Sequence, residues 1–313
     1  MLVTGGSGFI GRNLIASALD EGWSVTSLDC SEFEGPPHQH LTCRIGDVTH
    51  FPDVIKAMEG CSAVVHLAAQ VSVQESIQNP ETTMKVNVEG TQKVLDAAAQ
   101  LGVDKILVAS SAAVYGNATD LPLREEAAGE CISPYAVSKW LNEKQVMEAR
   151  QQGSDATAFR FFNVYGLGQS VTSVYGAVIP TFVECMTSRK QPSIFGDGLA
   201  TRDFVHATDV ASAILKLFDV DTLHHPEHVF NVATGNEVSL LELTEVINDI
   251  LLEKGVLQKA IAPDFKPKRH GDVVKSYASI ERITQAVKWT PKTEFKDGLR
   301  EMIDAALTKR QVD

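Results

Sequence analysis

A phenol and an ammonium stand four residues apart in Tyr135-Ala-Val-Ser-Lys139. On a helix that spacing puts both side chains on one face. A phenol with its ordinary pKa near 10 lies about three units too high to be a base at neutral pH, a gap of roughly 4 kcal/mol. A neighbouring ammonium narrows the gap, because opposite charge favours the phenolate. The pair therefore suits removal of a proton from an alcohol. Alone, the same spacing fits an aromatic anchor beside a solvated lysine. Ser110 and Ser111, at the end of an apolar run 24 residues before Tyr135, shift the balance. A hydroxyl there can lie beside the phenol and relay its proton.

A second pattern is a turn rather than a side-chain set. Residues 4–11 read Thr-Gly-Gly-Ser-Gly-Phe-Ile-Gly, so Gly6, Gly8 and Gly11 satisfy G-x-G-x-x-G and Gly5, Gly8 and Gly11 satisfy G-x-x-G-x-x-G. Glycine permits the tight turn and lets the backbone approach a diphosphate, which the following helix N-terminus attracts. Asp29 ends the next apolar run, 18 residues beyond Gly11. A carboxylate there accepts from both ribose hydroxyls and repels a 2′-phosphate, so NAD is expected rather than NADP. An oxidised nicotinamide would bring a second positive charge to the phenol.

The elements that must position these groups alternate in period. Leu2–Thr4, Ser24–Leu28, Leu41–Ile45, Ala63–Leu67, Lys105–Ala109 and Ala156–Phe161 read as short, near-continuous apolar strands. Between them, Ile10, Leu14, Ile15, Ala18 and Leu19 mark one helical face, and Phe51–Met58 and Thr82–Gln100 read as helices. Ser133 before Pro134 is an N-cap followed by proline at the first helical position, opening a helix to about Arg150. Strands of this kind separated by helices predict an α/β fold, a doubly wound parallel sheet covered by helices on both faces. After about Tyr165 the pattern loosens. Helices at 177–188, 207–218 and 240–252 alternate with short strands around 193–195, 204–205 and 229–233, a Pro- and Lys-rich stretch covers 262–272, and two short helices close the chain. This half is expected to be a smaller α/β domain laid over the C-terminal edge of the sheet. The expected division is residues 1–164, with returning segments near 200–235, and residues 165–313.

Composition removes several function classes. The 313 residues carry 28 basic and 40 acidic side chains, a net charge of −12, with 44% hydrophobic and 22% charged residues. That is a globular composition. An acidic chain does not neutralise a nucleic-acid backbone. No apolar run approaches the roughly 20 residues of a spanning helix, and no charged-then-apolar leader opens the chain, so a cytoplasmic protein away from membranes is expected. The five cysteines, Cys30, Cys43, Cys61, Cys131 and Cys185, are scattered and form no C-x-x-C pair, which predicts reduced thiols. His224, His225 and His228 share a Pro-containing loop without acidic or Cys companions at ligand spacing, and no metal is expected.

With these pieces in place the chain resembles the extended short-chain dehydrogenase/reductases, and within them the nucleotide-sugar epimerase/dehydratase group, nearest its UDP-glucose and UDP-N-acetylglucosamine 4-epimerases. The resemblance spans residue 2 to about residue 304. Besides the two motifs above it rests on Gly46-Asp47-Val48, His66-Leu67-Ala68-Ala69, Val86-Asn87-Val-Glu-Gly-Thr, Arg160-Phe-Phe162-Asn163-Val-Tyr-Gly, Phe195-Gly-Asp-Gly, Thr201-Arg202-Asp203-Phe-Val-His and Arg269-His-Gly-Asp272. It implies a Rossmann domain plus a smaller sugar-nucleotide domain, with Ser111, Tyr135 and Lys139 as the catalytic set. It implies NAD contacts from Gly5, Gly8, Phe9, Ile10, Gly11, Asp29, Asn87, Ala109, Tyr135 and Lys139. Asp47 and Val48 would hold the adenine, Leu67, Ala68 and Ala69 would line the cofactor, and Phe162 would approach the nicotinamide.

On the substrate side the resemblance implies Ser111, Asn163, Val178, Phe195, Arg202, Arg269, Asp272 and Ser276. Asn163, Arg202 and Arg269 would grip the nucleotide diphosphate, Phe195 would pack on uracil, and Asp272 would bind a ribose. Arginine suits that grip because its planar fork makes paired, charge-assisted bonds to phosphate oxygens. Residues 259–275 hold five basic and two acidic side chains, a local excess where the group places this clamp. Three departures refine the expectation. Dehydratases of the group carry Asp-Glu after the hydroxyl residue, whereas this chain has Ala112 and Ala113, which disfavours 4,6-dehydration. Ser276 stands where a bulky tyrosine narrows the sugar pocket in some relatives, so serine should admit an N-acetyl group. The strand before the first glycine is shorter than in the group.

The implied reaction is C4 epimerisation of a UDP-hexose through a transient 4-keto sugar, with NAD regenerated each turn. UDP-glucuronate decarboxylation, UDP-uronate epimerisation and a non-catalytic NAD-binding scaffold are the alternatives. A homodimer through a four-helix bundle, built from the Thr82 and Tyr135 helices, is implied as well.

Overall fold

The computed structural model describes residues 1–170, 177–268 and 275–312. Its first half alternates as the apolar runs require: β1 (Leu2–Thr4), α1 (Phe9–Asp20), β2 (Val25–Asp29), β3 (Leu41–Ile45), α2 (Phe51–Met58), β4 (Ala63–His66), α3 (Val73–Gln78), α4 (Pro80–Met84), α5 (Gly90–Leu101), β5 (Lys105–Ser111), α6 (Pro134–Gln151) and β6 (Asp155–Phe161). α6 opens as its sequence dictates, with Ser133 Oγ accepting from the Ala136 N–H at 3.1 Å. α5 stops at Gly102, whose φ of +68° is left-handed.

Two features were not legible. The helix expected over Thr82–Gln100 is divided, because Lys85–Glu89 form a π-helical turn between α4 and α5. The wider turn absorbs an extra residue, a device frequent at functional sites. α3 is a single six-residue segment capped by Ser72, too short to print a helical stripe on the sequence.

The second half contributes β7 (Asn163–Tyr165), α7 (Val178–Thr187), β8 (Ser193–Phe195), β9 (Thr201–Arg202), β10 (Phe204–His206), α8 (Ala207–Phe218), β11 (Val229–Val232), β12 (Val238–Ser239), α9 (Leu240–Glu253), β13 (Asp264–Lys266), α10 (Glu281–Val287) and α11 (Phe295–Val312). α9 starts with a full capping box, Ser239 and Glu242 each satisfying the other's backbone N–H. The Pro- and Lys-rich stretch carries β13, paired in parallel with β8. The last helix is 18 residues long rather than short. Leu299, Met302 and Ile303 bury its inner face, while interleaved charges dilute that stripe in the sequence.

Seven strands form one parallel sheet in the order β11-β6-β5-β4-β1-β2-β3. Chain order runs outward in both directions from the β1–β4 junction, which makes that junction the switch point where a parallel sheet opens a crevice at its carboxyl end. One face is covered by α1, α8 and α10 through Leu14, Ile15, Ile214, Ile283 and Trp289. The other is covered by α2 and α5 through Val54, Met58, Val94 and Leu95. A separate core of Ile179, Phe182, Leu243, Ile247, Leu299 and Ile303 joins α7, α9 and α11 beyond the sheet. Among the described residues no helix is long and apolar enough to cross a membrane.

Candidate active site

The crevice at the switch point is a cleft of about 770 Å³, a volume in the range of cofactor sites. Its floor is the turn between β1 and α1. Gly5 adopts φ +71°, and a Cβ on Gly11 would lie 2.2 Å from the Gly5 carbonyl oxygen, so side chains are excluded at both. α1 begins at Gly8 with no side-chain cap and no acidic residue in its first turn. Its opening N–H groups and the positive end of its dipole are therefore left to an anion in the cleft. Asp29, at the carboxyl end of β2, is fixed through both oxygens: Oδ2 accepts from the Ser7 N–H and Oδ1 from the Ser31 N–H, each at 3.0 Å. Both contacts orient the carboxylate at the rim, where ribose hydroxyls can donate to it. Asp47 is held by Thr49 and Asp53. An uncapped helix end, a glycine floor and an oriented carboxylate fit a dinucleotide.

The cleft collects most of the residues expected to bind the cofactor: Gly5, Gly8, Phe9, Ile10, Gly11, Asp29, Asp47, Val48, Leu67, Ala68, Ala69, Ala109, Tyr135, Lys139 and Phe162. Ser111 lines it too. Asn87 stands behind the wall instead. It is buried in the π-helical turn, where its amide bonds both backbone groups of Gln70 and donates to Ser138 Oγ, while Val86 faces the cleft.

The chemistry-bearing side chains come from one stripe of α6 meeting three successive residues of β5. Lys139 Nζ donates to the Ala109 carbonyl at 2.9 Å, Tyr135 hydrogen-bonds Ser111, and Ser110 Oγ donates to Glu143 Oε1 at 2.6 Å. Residues 135, 139 and 143 are spaced four apart, so one helix face carries all three. The Lys139 ammonium lies 6.0 Å from the Tyr135 ring centroid. Burial pushes Lys139 down to about 8. Burial also pushes the Tyr135 phenol up, and the Ser111 hydrogen bond works against that rise. Burial thus penalises each charged form alone, and phenolate and ammonium favour each other.

Behind this face lies a buried polar network that sequence reading missed. Arg160 of β6 makes two bonds to Glu143, Nε to Oε1 and Nη2 to Oε2, both at 2.8 Å. Its Nη1 donates to Tyr115 Oη at 3.0 Å and to the Glu125 carbonyl at 2.7 Å. Tyr115 donates in turn to Asn231 Oδ1 of β11 at 2.6 Å. Burial opposes the Arg160 charge, but the Glu143 bonds override it and push its pKa up. The visible signals were a glutamate four residues after Lys139 and the arginine that opens the Arg160-Phe-Phe162-Asn163 motif; nothing in the sequence paired the two.

Apart from Ser111, the expected substrate residues lie elsewhere. Asn163 opens β7, and its N–H and Nδ2 donate to the Asp203 carbonyl at 3.1 and 3.3 Å. Arg202 ends β9, with Nη1 donating to the Thr201 carbonyl. Backbone bonding thus brings Asn163 and the 202–203 corner together. Asp203 is a fully buried hub whose oxygens accept from Thr234, Gly235 and Ala278; burial pushes its carboxyl up and those bonds oppose the rise. Val178 opens α7, Phe195 closes β8, and Ser276 precedes Tyr277, whose carbonyl accepts from the Leu123 N–H at 2.9 Å. None of these five lines the cleft. Arg269 and Asp272 lie outside the described residues.

Comparison with known proteins agrees with this geometry. The model of the NAD dependent epimerase/dehydratase family matches residues 1–233. The UDP-glucose 4-epimerase of Mycolicibacterium smegmatis is 31% identical over 321 residues, spanning 99% of each chain. The structure of a UDP-N-acetylglucosamine 4-epimerase from Methanobrevibacter ruminantium M1, solved with UDP-N-acetylmuramic acid, superposes with a TM-score of 0.90 at 31% identity over 98% of each chain. A UDP-glucose 4-epimerase from Thermotoga maritima, solved with UDP-glucose, gives a TM-score of 0.88 at 28% identity, covering 100% of this chain and 99% of that one.

Proposed function

The chain belongs to the NAD dependent epimerase/dehydratase family, and from that premise we propose that it inverts C4 of UDP-hexoses. The pairs are UDP-glucose with UDP-galactose and UDP-N-acetylglucosamine with UDP-N-acetylgalactosamine, each through a transient 4-keto sugar. The observation that carries the reading is the Ser111, Tyr135 and Lys139 cluster on the wall of the cleft that holds Asp29. Similarity along nearly the whole chain to 4-epimerases supports it.

NAD is the cofactor of this family, and when bound it supplies and recovers the oxidising equivalent that C4 requires. The glycine floor and the α1 N-terminus hold its diphosphate, and Asp29 takes its ribose hydroxyls. Tyr135 takes the proton of the sugar 4-hydroxyl and later returns it, with Ser111 hydrogen-bonded to the same oxygen. Lys139, tied to the Ala109 carbonyl, keeps its charge near the phenol and stabilises the phenolate. Ala112 and Ala113 follow Ser111, so no carboxylate stands next to it to eliminate water.

Asn163, Arg202, Arg269, Phe195 and Asp272 serve as the nucleotide grip, with Val178 and Ser276 bordering the sugar. The nucleotide domain comprises residues 1–164 with β11 and α8 returning to it, and the remainder carries the sugar nucleotide. Two copies pair through α4–α5 and α6, a reading supported by the exposed Leu141 on α6. The protein works in the cytoplasm.

The test is purified protein, without added NAD, incubated separately with UDP-glucose, UDP-N-acetylglucosamine and UDP-glucuronate while product stereochemistry is followed. Galacto products from the first two support the proposal. Loss of carbon dioxide from UDP-glucuronate alone would replace it with the decarboxylase reading. Tyr135→Phe should abolish turnover while NAD stays bound, and near-normal turnover by that variant would refute the assigned base.

A further inference from the structure

Gln169 lines the cleft but belongs to neither motif. It sits on the short segment that leaves β7, and that segment is fastened to the phosphate-binding helix from outside. Arg12 Nη2 of α1 donates to the Gly168 carbonyl at 3.0 Å, and Asn13 Nδ2 donates to the Leu167 carbonyl at 3.1 Å. Two consecutive side chains of α1 thus grip two consecutive carbonyls immediately before Gln169.

The Gln169 amide is oriented by its surroundings. Its Nε2 donates to the Val164 carbonyl at 3.0 Å. Only the donor end of an amide satisfies a carbonyl, so Oε1 must point the other way. That oxygen is buried, and among the described residues it has no hydrogen-bond partner. A buried acceptor without a donor is costly and rare in folded proteins, and this one stands on the wall of a ligand cleft. Oε1 only accepts, and so do ionised diphosphate oxygens, so its partner must carry an O–H or N–H.

We propose that Gln169 is a cofactor-retaining residue: its Oε1 accepts a hydrogen bond from a ribose hydroxyl or the carboxamide of NAD, on a strap clamped to α1 by Arg12 and Asn13. The strap joins the region beyond the sheet to the helix that holds the diphosphate. Release of the dinucleotide must therefore break a contact made from outside the glycine floor. This inference rests on NAD occupying the cleft and is independent of which sugar is turned over.

The test strips and reloads the protein with NAD and measures its dissociation constant and off-rate by fluorescence, comparing native protein with Gln169→Met and Gln169→Asn. Methionine keeps the length without the acceptor, and asparagine keeps the amide but withdraws it. Both should bind NAD about tenfold more weakly, the loss expected for one hydrogen bond in a buried site. Far-UV circular dichroism and unfolding midpoints establish that each variant is folded. Arg12→Ala, which removes one of the two clamps on the strap and leaves Gln169 intact, should speed NAD release several-fold. Unchanged NAD affinity in folded Gln169→Met and Gln169→Asn would overturn the proposal, as would a raised KM for the sugar nucleotide with NAD held normally. Native protein that binds no NAD would instead overturn the reading of the cleft itself.

Discussion

Replacing Glu143 by glutamine isolates what the network behind the catalytic face does. Glu143 and Arg160 are each only 3% exposed, and two of the Arg160 bonds end on that carboxylate. Glutamine retains one acceptor oxygen for Ser110 but presents an N–H₂ to a guanidinium that can only donate. The remaining Arg160 partners, Tyr115 and the Glu125 carbonyl, are neutral, so a buried cation is left without its counter-charge. Breaking one side of such a pair costs about 3–5 kcal/mol. At about 2–4 °C per kcal/mol the unfolding midpoint should fall by roughly 6–20 °C. The same change loosens α6 against β6, because the two Arg160 bonds to Glu143 join that strand to the helix face that carries Tyr135 and Lys139. Turnover should drop with little change in the KM for the sugar nucleotide.

Thermal and urea unfolding of Glu143→Gln, Arg160→Met and their combination would measure the stability effects, with kcat and KM determined for each. If the uncompensated charge is the cost, the neutral double variant should be more stable than the sum of the two single losses predicts. A Glu143→Gln protein within about 1 kcal/mol of native, or a double variant as unstable as that sum, would refute the reasoning.

Three further outcomes follow from the cleft. Burial pushes Lys139 down to about 8 from the ordinary lysine value of 10.5, so its burial penalty is fully present below pH 8. As pH rises from about 8 to 10.5 the folded chain sheds a proton that the unfolded chain keeps. This group then adds stability, by about 3 kcal/mol in all. NAD-free Lys139→Met should lack that rise in a urea-unfolding series across this range, and parallel curves would contradict it. Asp29→Asn removes the charge that repels a 2′-phosphate and weakens the ribose contacts, so the ratio of NAD to NADP affinity measured by titration should fall about 10–100-fold. Gly11→Ala places a methyl 2.2 Å from the Gly5 oxygen. It should lose NAD retention on gel filtration and about 1–3 kcal/mol of stability.

What the sequence disclosed is what neighbouring residues can encode. The glycine turn, the capped start of α6, the four-residue stripe and the apolar runs of β1 to β6 are local patterns, each with a physical reason to recur at its spacing. The contents of the cleft follow from them, because both motifs lie at carboxyl ends of strands in a parallel sheet. The groups that escaped notice are defined by partners far along the chain. Arg160 is a surface cation by type until Glu143 lies against it, and Asp203 becomes a hub only when residues 234, 235 and 278 converge on it. Gln169 is unremarkable until its one unmet oxygen is located. The π-helical turn left no trace either, since one extra residue in a turn does not stand out in a helix read over nineteen residues.

The place of β11 bears on how the chain is made. A ribosome releases β6 long before residues 229–232, so for the synthesis of some seventy residues the sheet ends in an unpaired edge at β6. Over the first part of that interval α1 also lacks α8, which shares its apolar core. An open strand edge beside uncovered apolar surface invites pairing with another nascent chain. The half that holds the glycine turn is thus first in the message, yet its folding cannot finish until β11 and α10 of the second half have emerged.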